Sequence, residues 1–423
     1  MHTPFLLSTV VLIAMLAATV PLLGGYMAKV FAYGPAEADL GPAPGHRFFA
    51  PIERFLHRCM GVDETKEQRW NAYAFAVLAF SAASVLFLYA LQRIQGSLPG
   101  NPTGVAGASP FVAFNTAVSF VTNTNWQSYA GESTMSHLTQ ALGLSVQNFA
   151  TAGVGICVAI ALIRGLSRHQ GRTLGSFWVD IIRAIVRILL PFAFIVAITY
   201  VSQGVVMNTH GNTAVTTVEG AKAVVPGGPL ASMESIKQIG QNGGGFYNAN
   251  STHPFENPNG FTNLLQLWTI LAIPLALCWT YGELVRDLKQ GIVVLSAMLI
   301  LLVTLSIVAV GAERTGNPRL TALGVDQHIT ATSPGGSMEG KETRFGPETC
   351  ALYAVATTST SNGSVNCAHD SLTPLAGGVA LTAMMLGEVA PGGSGGGLYG
   401  MLIFAILAVF RSEEHTSELQ SLV

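Results

Sequence analysis

Thr122-Asn123-Thr124-Asn125, Gln241-Asn242-Gly243-Gly244 and Ser361-Asn362-Gly363-Ser364 interrupt a chain that is otherwise rich in long apolar runs. Aligned on Asn123, Asn242 and Asn362, the three stretches stand 119 and 120 residues apart. A fixed period of that length marks a duplicated structural unit. Each stretch follows a short helical pattern that opens on proline, over residues 110–120, 229–239 and 347–357. Proline suits a first helical position, where the missing N–H would have had no partner. An apolar run precedes each half-length helix and another follows each polar stretch. The unit therefore reads as span, half-length pore helix, extended polar loop, span. One N-G-G-G alone is most often a surface turn, but three on a common period behind proline-led half-helices are not three coincidences.

Only 10% of the 423 residues are charged and half are hydrophobic, against roughly 25% charged in soluble domains. Runs over 4–25, 71–92, 141–163, 184–201, 262–282 and 291–311 each hold about 20 mostly apolar residues, enough to cross about 30 Å of hydrocarbon as a helix. The first has no basic stretch before it and reads as a retained helix, not a cleaved leader. Lys29, Arg47, Arg54, Arg58, Lys66 and Arg69 fall between the first two spans, and Arg164, Arg168, Arg172, Arg183 and Arg187 around the next such connection. Arg286 and Lys289 occupy the turn after the fifth run, while 94–140 holds no Lys or Arg. Basic connections stay inside, which puts the N-terminus and the polar loops outside; loop 312–370 carries Arg314, Arg319, Lys341 and Arg344, but loops of that length are largely exempt. The formal net charge of −2 gives no reason to expect nucleic acid. Cys59, Cys157, Cys278, Cys350 and Cys367 lack a C-x-x-C spacing and read as packing residues, with neither a zinc site nor a redox motif.

The polar loops suit one kind of chemistry. A potassium ion leaves water only if oxygens replace its hydration, since an unsolvated charge in a low-dielectric medium costs on the order of tens of kcal/mol. Rings of backbone carbonyls supply such oxygens. Gly243, Gly244 and Gly363 give the backbone freedom to turn them inward, and Thr122 and Thr124 can add hydroxyls. The half-helices aim their partly negative C-termini along the path, which favours a cation. The loop bodies 204–226 and 316–341 read as plain exposed loop. Residues 335–341, GGSMEGK, imitate a phosphate-binding loop, but Glu342 stands where Ser or Thr would hold magnesium and no strand precedes it. No D-K-T-G segment is present, so the chain itself is not expected to hydrolyse ATP.

The apolar run 371–410 is too long for one straight helix across about 30 Å at roughly 1.5 Å per residue. Two spans joined near Gly392 would need a basic turn, yet 371–410 contains no Lys or Arg. It reads instead as one broken helix, interrupted over 391–397 inside the membrane, where only protein or a water-filled cavity shelters irregular backbone. Such a break would obstruct the path beneath the filter. Gly392, Gly393, Gly395, Gly396 and Gly397, with Glu388 just before them, are therefore candidate gate residues, because a carboxylate inside a membrane is functional by default. The other reading of Glu388 is a helix-end charge among headgroups.

Residues 120–149, FVTNTNWQSYAGESTMSHLTQALGLSVQNF, residues 236–258, IKQIGQNGGGFYNANSTHPFENP, and HDSLTPL at 369–375 with GGGLYGMLIFAILAVF at 395–410 carry a resemblance. Up to about Phe410 the chain resembles the potassium-binding A subunit family of the Kdp potassium-transporting ATPase. The resemblance implies an all-α integral membrane fold of the potassium-channel-like superfamily, in a bacterial inner membrane. It implies a subunit that selects potassium as substrate without a bound cofactor, a P-type B subunit that hydrolyses ATP, and small C and F subunits. The family's filter residues carry over onto the twelve loop residues quoted first, and Gln127 matches a position linked to selectivity. The family resembles four fused units, whereas three polar loops occur here, so a fourth is expected beyond residue 410. Residues 411–421, RSEEHTSELQS, read like the translation of a sequencing-library adapter. The expected organisation is an N-terminal transmembrane helix at 1–26, a cytoplasmic segment at 27–70, repeats at 71–166, 178–286 and 290–410, and a non-native tail at 411–423. The competing readings are a passive potassium channel or symporter of the same superfamily, and a membrane protein that binds solutes on its outer face.

Overall fold

The computed structural model describes residues 3–32, 40–168 and 172–420. Parts of the segments expected at 1–26, 27–70 and 411–423 thus lie outside the described residues. The chain is mostly helical: α1 Thr3–Phe31, α2 His46–Met60, α3 Trp70–Ile94, α4 Pro110–Val121, α5 Thr139–Ser167, α6 Phe177–Ser202, α7 Leu230–Ile239, α8 Gly260–Leu284, α9 Leu288–Thr315, α10 Gly346–Ser359, α11 Pro374–Met385 and α12 Gly396–Gln420. Six of the described helices, α1, α3, α5, α6, α8 and α9, are long and apolar enough to cross a membrane. This is the architecture of an integral membrane protein.

Several spans outrun their apolar runs because protein shelters their polar ends. Arg164 on α5 and Asp180 on α6 pair at 2.7 Å and are almost fully buried. The Tyr73 hydroxyl of α3 donates to the same carboxylate at 3.0 Å, and Arg164 donates to the Phe31 carbonyl that ends α1 at 2.8 Å. A buried ion pair with all its partners present keeps the charges from being a liability; removing one partner costs about 3–5 kcal/mol. In α6 a π-helical turn over Ala184–Leu189 precedes Pro191. Proline cannot donate to the Arg187 carbonyl, and the Tyr26 hydroxyl donates to it instead at 3.1 Å.

Close helix contacts rest on small residues, as expected where backbones must approach. A Cβ on Gly24 of α1 would stand 2.6 Å from the Cβ of Trp279 on α8, and one on Gly291 of α9 would stand 2.5 Å from the Cys278 carbonyl oxygen. The core they seal includes Ile270, Ala276, Leu277 and Met298.

Four sequence expectations change. Residues 204–226 are not plain loop: Thr213–Thr216 and Lys222–Val225 form an antiparallel hairpin, with Thr213 opposite Val225 and Thr216 opposite Lys222. The chain is therefore not purely α. Glu219-Gly220 turns the pair, Gly220 taking a φ of +81°, a conformation cheap only for glycine. Within 316–341, Pro318–Ala322 is helical and Ser337 is buried, its N–H donating to the Glu313 carbonyl at 2.8 Å. Pro229 caps α7 from one place before its first residue. Cys350 and Cys367 are not merely packed; they form a disulfide across a 17-residue separation, Cα to Cα 5.9 Å. Spacing alone hid them, because the half-helix α10 and its return bring them together.

Candidate functional site

The three half-length helices end at equivalent points. Thr122, Gly240 and Thr360 are their C-caps. The next residues, Asn123, Gln241 and Ser361, are left-handed, with φ of +61°, +46° and +56°. Two places further, Asn125, Gly243 and Gly363 are left-handed again. Between them Thr124, Asn242 and Asn362 each donate their N–H back five residues, to the carbonyls of Ser119, Lys237 and Thr357. The backbone thus pairs Thr124, not Asn123, with Asn242 and Asn362. The alignment on shared asparagines is out by one residue in the first loop, because what the three loops share is a run of dihedral angles and not a side chain.

A cavity of about 1370 Å³ gathers these loops. Thr122, Asn123, Thr124, Asn125, Gly243, Ser361 and Gly363 line it, together with Gln127 beside the first loop. Gln241, Asn242, Gly244, Asn362 and Ser364 are buried behind the wall and brace it. The Gln127 side chain clamps loop one to loop two, accepting from the Gly245 N–H and donating to the Gly245 carbonyl, each at 3.0 Å. Asn123 donates to the Gln241 carbonyl at 3.1 Å and accepts from Thr151 at 2.8 Å. The Gly243 carbonyl is not free as expected: the Asn250 amide donates to it at 2.8 Å. Loops two and three touch so closely that a Cβ on Gly243 would lie 1.9 Å from the Asn362 carbonyl oxygen.

Behind these loops sits a charged cluster that sequence reasoning missed. Lys237 of α7 is fully buried between Glu234 at 2.6 Å and Glu256 at 2.9 Å, and it also donates to Asn250 at 2.8 Å. Asn250 passes that constraint to the Gly243 carbonyl. On the other side Gln238 donates to both Glu234 and Ser364, at 2.8 and 2.9 Å, and Tyr353 shares a hydrogen bond with Ser364 at 2.6 Å. One buried network therefore fixes loops two and three at once. The available signal was Glu234 and Lys237 at i, i+3 inside a half-helix.

The interruption between α11 and α12 runs over 386–395, earlier than the expected 391–397. Gly387 and Glu388 are left-handed, with φ of +80° and +54°, which ends α11 before the glycines are reached. Glu388 lies within the break rather than ahead of it, and with Gly393, Ser394 and Gly396 it lines the same cavity. Gly392, Gly395 and Gly397 do not line it. They pack backbone on backbone: a Cβ on Gly395 would meet the Gly155 carbonyl oxygen at 2.0 Å, and one on Gly397 the Pro391 carbonyl oxygen at 2.0 Å. The Gly392 N–H donates to the Ser359 carbonyl at 2.9 Å, and the Ser394 hydroxyl donates to the Gln241 side chain. The break is thus fastened to the second loop and to the end of α10, just before the third.

His369 and Asp370 line the cavity on the far side of the third loop. Burial pushes the His369 imidazole down to about 4; the Asp370 carboxylate opposes this and Lys341 adds to it. At ordinary pH this wall is therefore free of histidine charge. Among the described residues no cluster of three His, Cys, Asp or Glu could hold a metal ion, and around the three loops the cavity is lined by carbonyl, hydroxyl and amide oxygens, with the Asp370 and Glu388 carboxylates elsewhere on its wall.

Apolar spanning helices around an oxygen-lined cavity define a multi-pass membrane protein with a polar interior. Residues 10–413 match the family described as the potassium-transporting ATPase A subunit, KdpA, and the chain belongs to that family. It is 55% identical over 399 residues to the potassium-transporting ATPase potassium-binding subunit of Mycobacterium tuberculosis, covering 94% of this chain and 69% of that protein. The subunits of the same name from Sorangium cellulosum, at 50% identity, and Anaeromyxobacter dehalogenans, at 52%, are matched over 69% and 68% of their lengths.

Proposed function

We propose that this chain binds potassium where its three polar loops meet and passes it from the outer side of a bacterial inner membrane toward a partner ATPase. One observation carries the reading: three loops with the same alternation of left-handed residues follow three half-length helices and line one cavity. The C-termini of those helices concentrate partial negative charge beside the loops, and the loop oxygens replace hydration water. The filter comprises Thr122, Asn123, Thr124, Asn125, Gly243, Ser361 and Gly363 at the wall, with Gln241, Asn242, Gly244, Asn362 and Ser364 holding it and Gln127 supporting it.

In this reading the units are 71–166, 178–286 and 290–410, three of four such repeats, preceded by the helix at 1–26 with its N-terminus outside. The break over 386–395, with Glu388, obstructs direct passage and diverts the ion. A P-type B subunit hydrolyses ATP, small C and F subunits complete the complex, and this subunit is itself non-catalytic. The test is ion competition in the full-length complex: rubidium should displace potassium while sodium at the same concentration does not. Equal competition by sodium would overturn the filter, and ATP-independent flux by the purified subunit without partners would make it a passive channel.

A further inference from the structure

The helix α2, His46–Met60, lies between two spans and has three distinct sides. At about 100° per residue, Phe48, Ile52, Phe55 and Cys59 form one stripe. Phe48 is 69% exposed, Ile52 39% and Phe55 65%, and Cys59 is exposed as well. Arg47, Arg54 and Arg58 form a second exposed stripe, about 90° around the helix from the first. The third side faces the protein and is centred on two polar residues: Glu53 and His57 are buried, Glu53 paired with Arg187 of α6 and His57 against Glu64 at 2.9 Å, with half-buried Phe49 under Arg187 and Leu56 against the core at its edge. A surface helix of a soluble protein turns its apolar stripe to the core. This one turns it away.

The charge around α2 is equally one-sided. Within 40–70 every acid is engaged: Glu53 with Arg187, Asp63 with Lys66, Glu64 with His57 and Glu67 with Arg168. Arg47, Arg54 and Arg58 have no acidic partner among the described residues. Trp70, which opens α3, is 72% exposed, and tryptophan at the end of a span marks the headgroup level.

We infer that α2 is a membrane-surface helix that binds anionic phospholipid. Its Phe48, Ile52 and Phe55 stripe enters the acyl boundary while Arg47, Arg54 and Arg58 meet the phosphates. Apolar and basic stripes a quarter-turn apart are what a helix lying in the interface needs when its remaining side is held by protein. The inference does not depend on the ion path.

Within this chain Cys59 is the thiol open to labelling, because Cys157 and Cys278 are buried and Cys350 and Cys367 are joined; cysteines elsewhere in the full-length complex are replaced by serine. A fluorophore on Cys59 of the full-length complex in nanodiscs is exposed to brominated phosphatidylglycerol, to brominated phosphatidylcholine or to soluble iodide. Bromolipid should quench it and iodide should not, with about threefold preference for the glycerol lipid. The exposed triple variant R47Q/R54Q/R58Q should abolish that preference, and R47K/R54K/R58K should keep it. Quenching by iodide would mean the helix faces water. Protection from both quenchers would mean a protein subunit covers the stripe. Equal quenching by the two lipids would mean contact without headgroup recognition. Each of these three results overturns the inference.

Discussion

Gly243 carries more constraint than any other loop residue. Its φ of +71° is one that side-chain-bearing residues rarely adopt, and the Asn362 carbonyl fills the place of a Cβ at 1.9 Å. A Cβ on Gly244 would instead meet side-chain atoms of Phe120 and Asn125, at 2.8 and 2.9 Å, rather than backbone. Gly243→Asp should lower potassium affinity at least about tenfold, roughly 1.4 kcal/mol, and flatten potassium-over-sodium preference; Gly244→Ala should do less. Potassium-dependence curves of the full-length complex decide, and an unchanged preference in Gly243→Asp would remove the loop from the ion path. Lys237→Met would leave Glu234 and Glu256 buried without their cation, at a cost of about 3–5 kcal/mol. Thermal melting should fall, and at permissive temperature sodium should compete better, because Asn250 loses its anchor. A stability loss with intact selectivity would reduce Lys237 to a packing role. The register was not legible in the sequence, because the residue equivalent to Asn242 and Asn362 is Thr124 and only the dihedral angles reveal it; of the cluster, the sequence offered no more than Glu234 and Lys237 at i, i+3.

At the scale of elements, the sequence was most informative about helices and least about their ends. An interruption of the run 371–410 was expected from its length, and the chain does break between α11 and α12. Its first boundary was not, since nothing in the residues announces that Gly387 and Glu388 adopt left-handed angles. The hairpin at Thr213–Thr216 and Lys222–Val225 was hidden because its strands are short and largely exposed. The disulfide encloses the whole third loop, from Cys350 on α10 to Cys367 beyond Ser364. Closing a ring of about 15 residues contributes about 3 kcal/mol in the chain-entropy account. Cys350→Ser with Cys367→Ser should therefore speed amide exchange over 360–366 while leaving loops one and two unchanged, as read by hydrogen-exchange mass spectrometry. Uniform change across all three loops would argue against a local clamp.

The whole molecule was legible in outline because composition and span length are set by the bilayer, not by packing detail. Six described helices long and apolar enough to cross correspond to the six apolar runs. Orientation rests on where arginine and lysine fall, and it has its own check. External protease on intact cells should leave 40–70 uncut, and protease added to inverted vesicles should cut there; cleavage from outside would reverse the topology. The buried Arg164 and Asp180 pair could not be foreseen from spans alone, since it joins helix ends brought together only by the fold.

The left-handed residues of the loops have a thermodynamic consequence. Asn123, Asn125, Gln241 and Ser361 lack glycine's freedom, and each such residue costs roughly 1 kcal/mol. An ion that binds only this arrangement is then a ligand of the folded state, adding about 2.7 kcal/mol at a hundredfold excess over its dissociation constant. Potassium should raise the melting temperature where sodium and choline do not. Scarcity of the ion would then thin out the intact protein as well as its cargo, tying the lifetime of the empty subunit to the medium outside the cell.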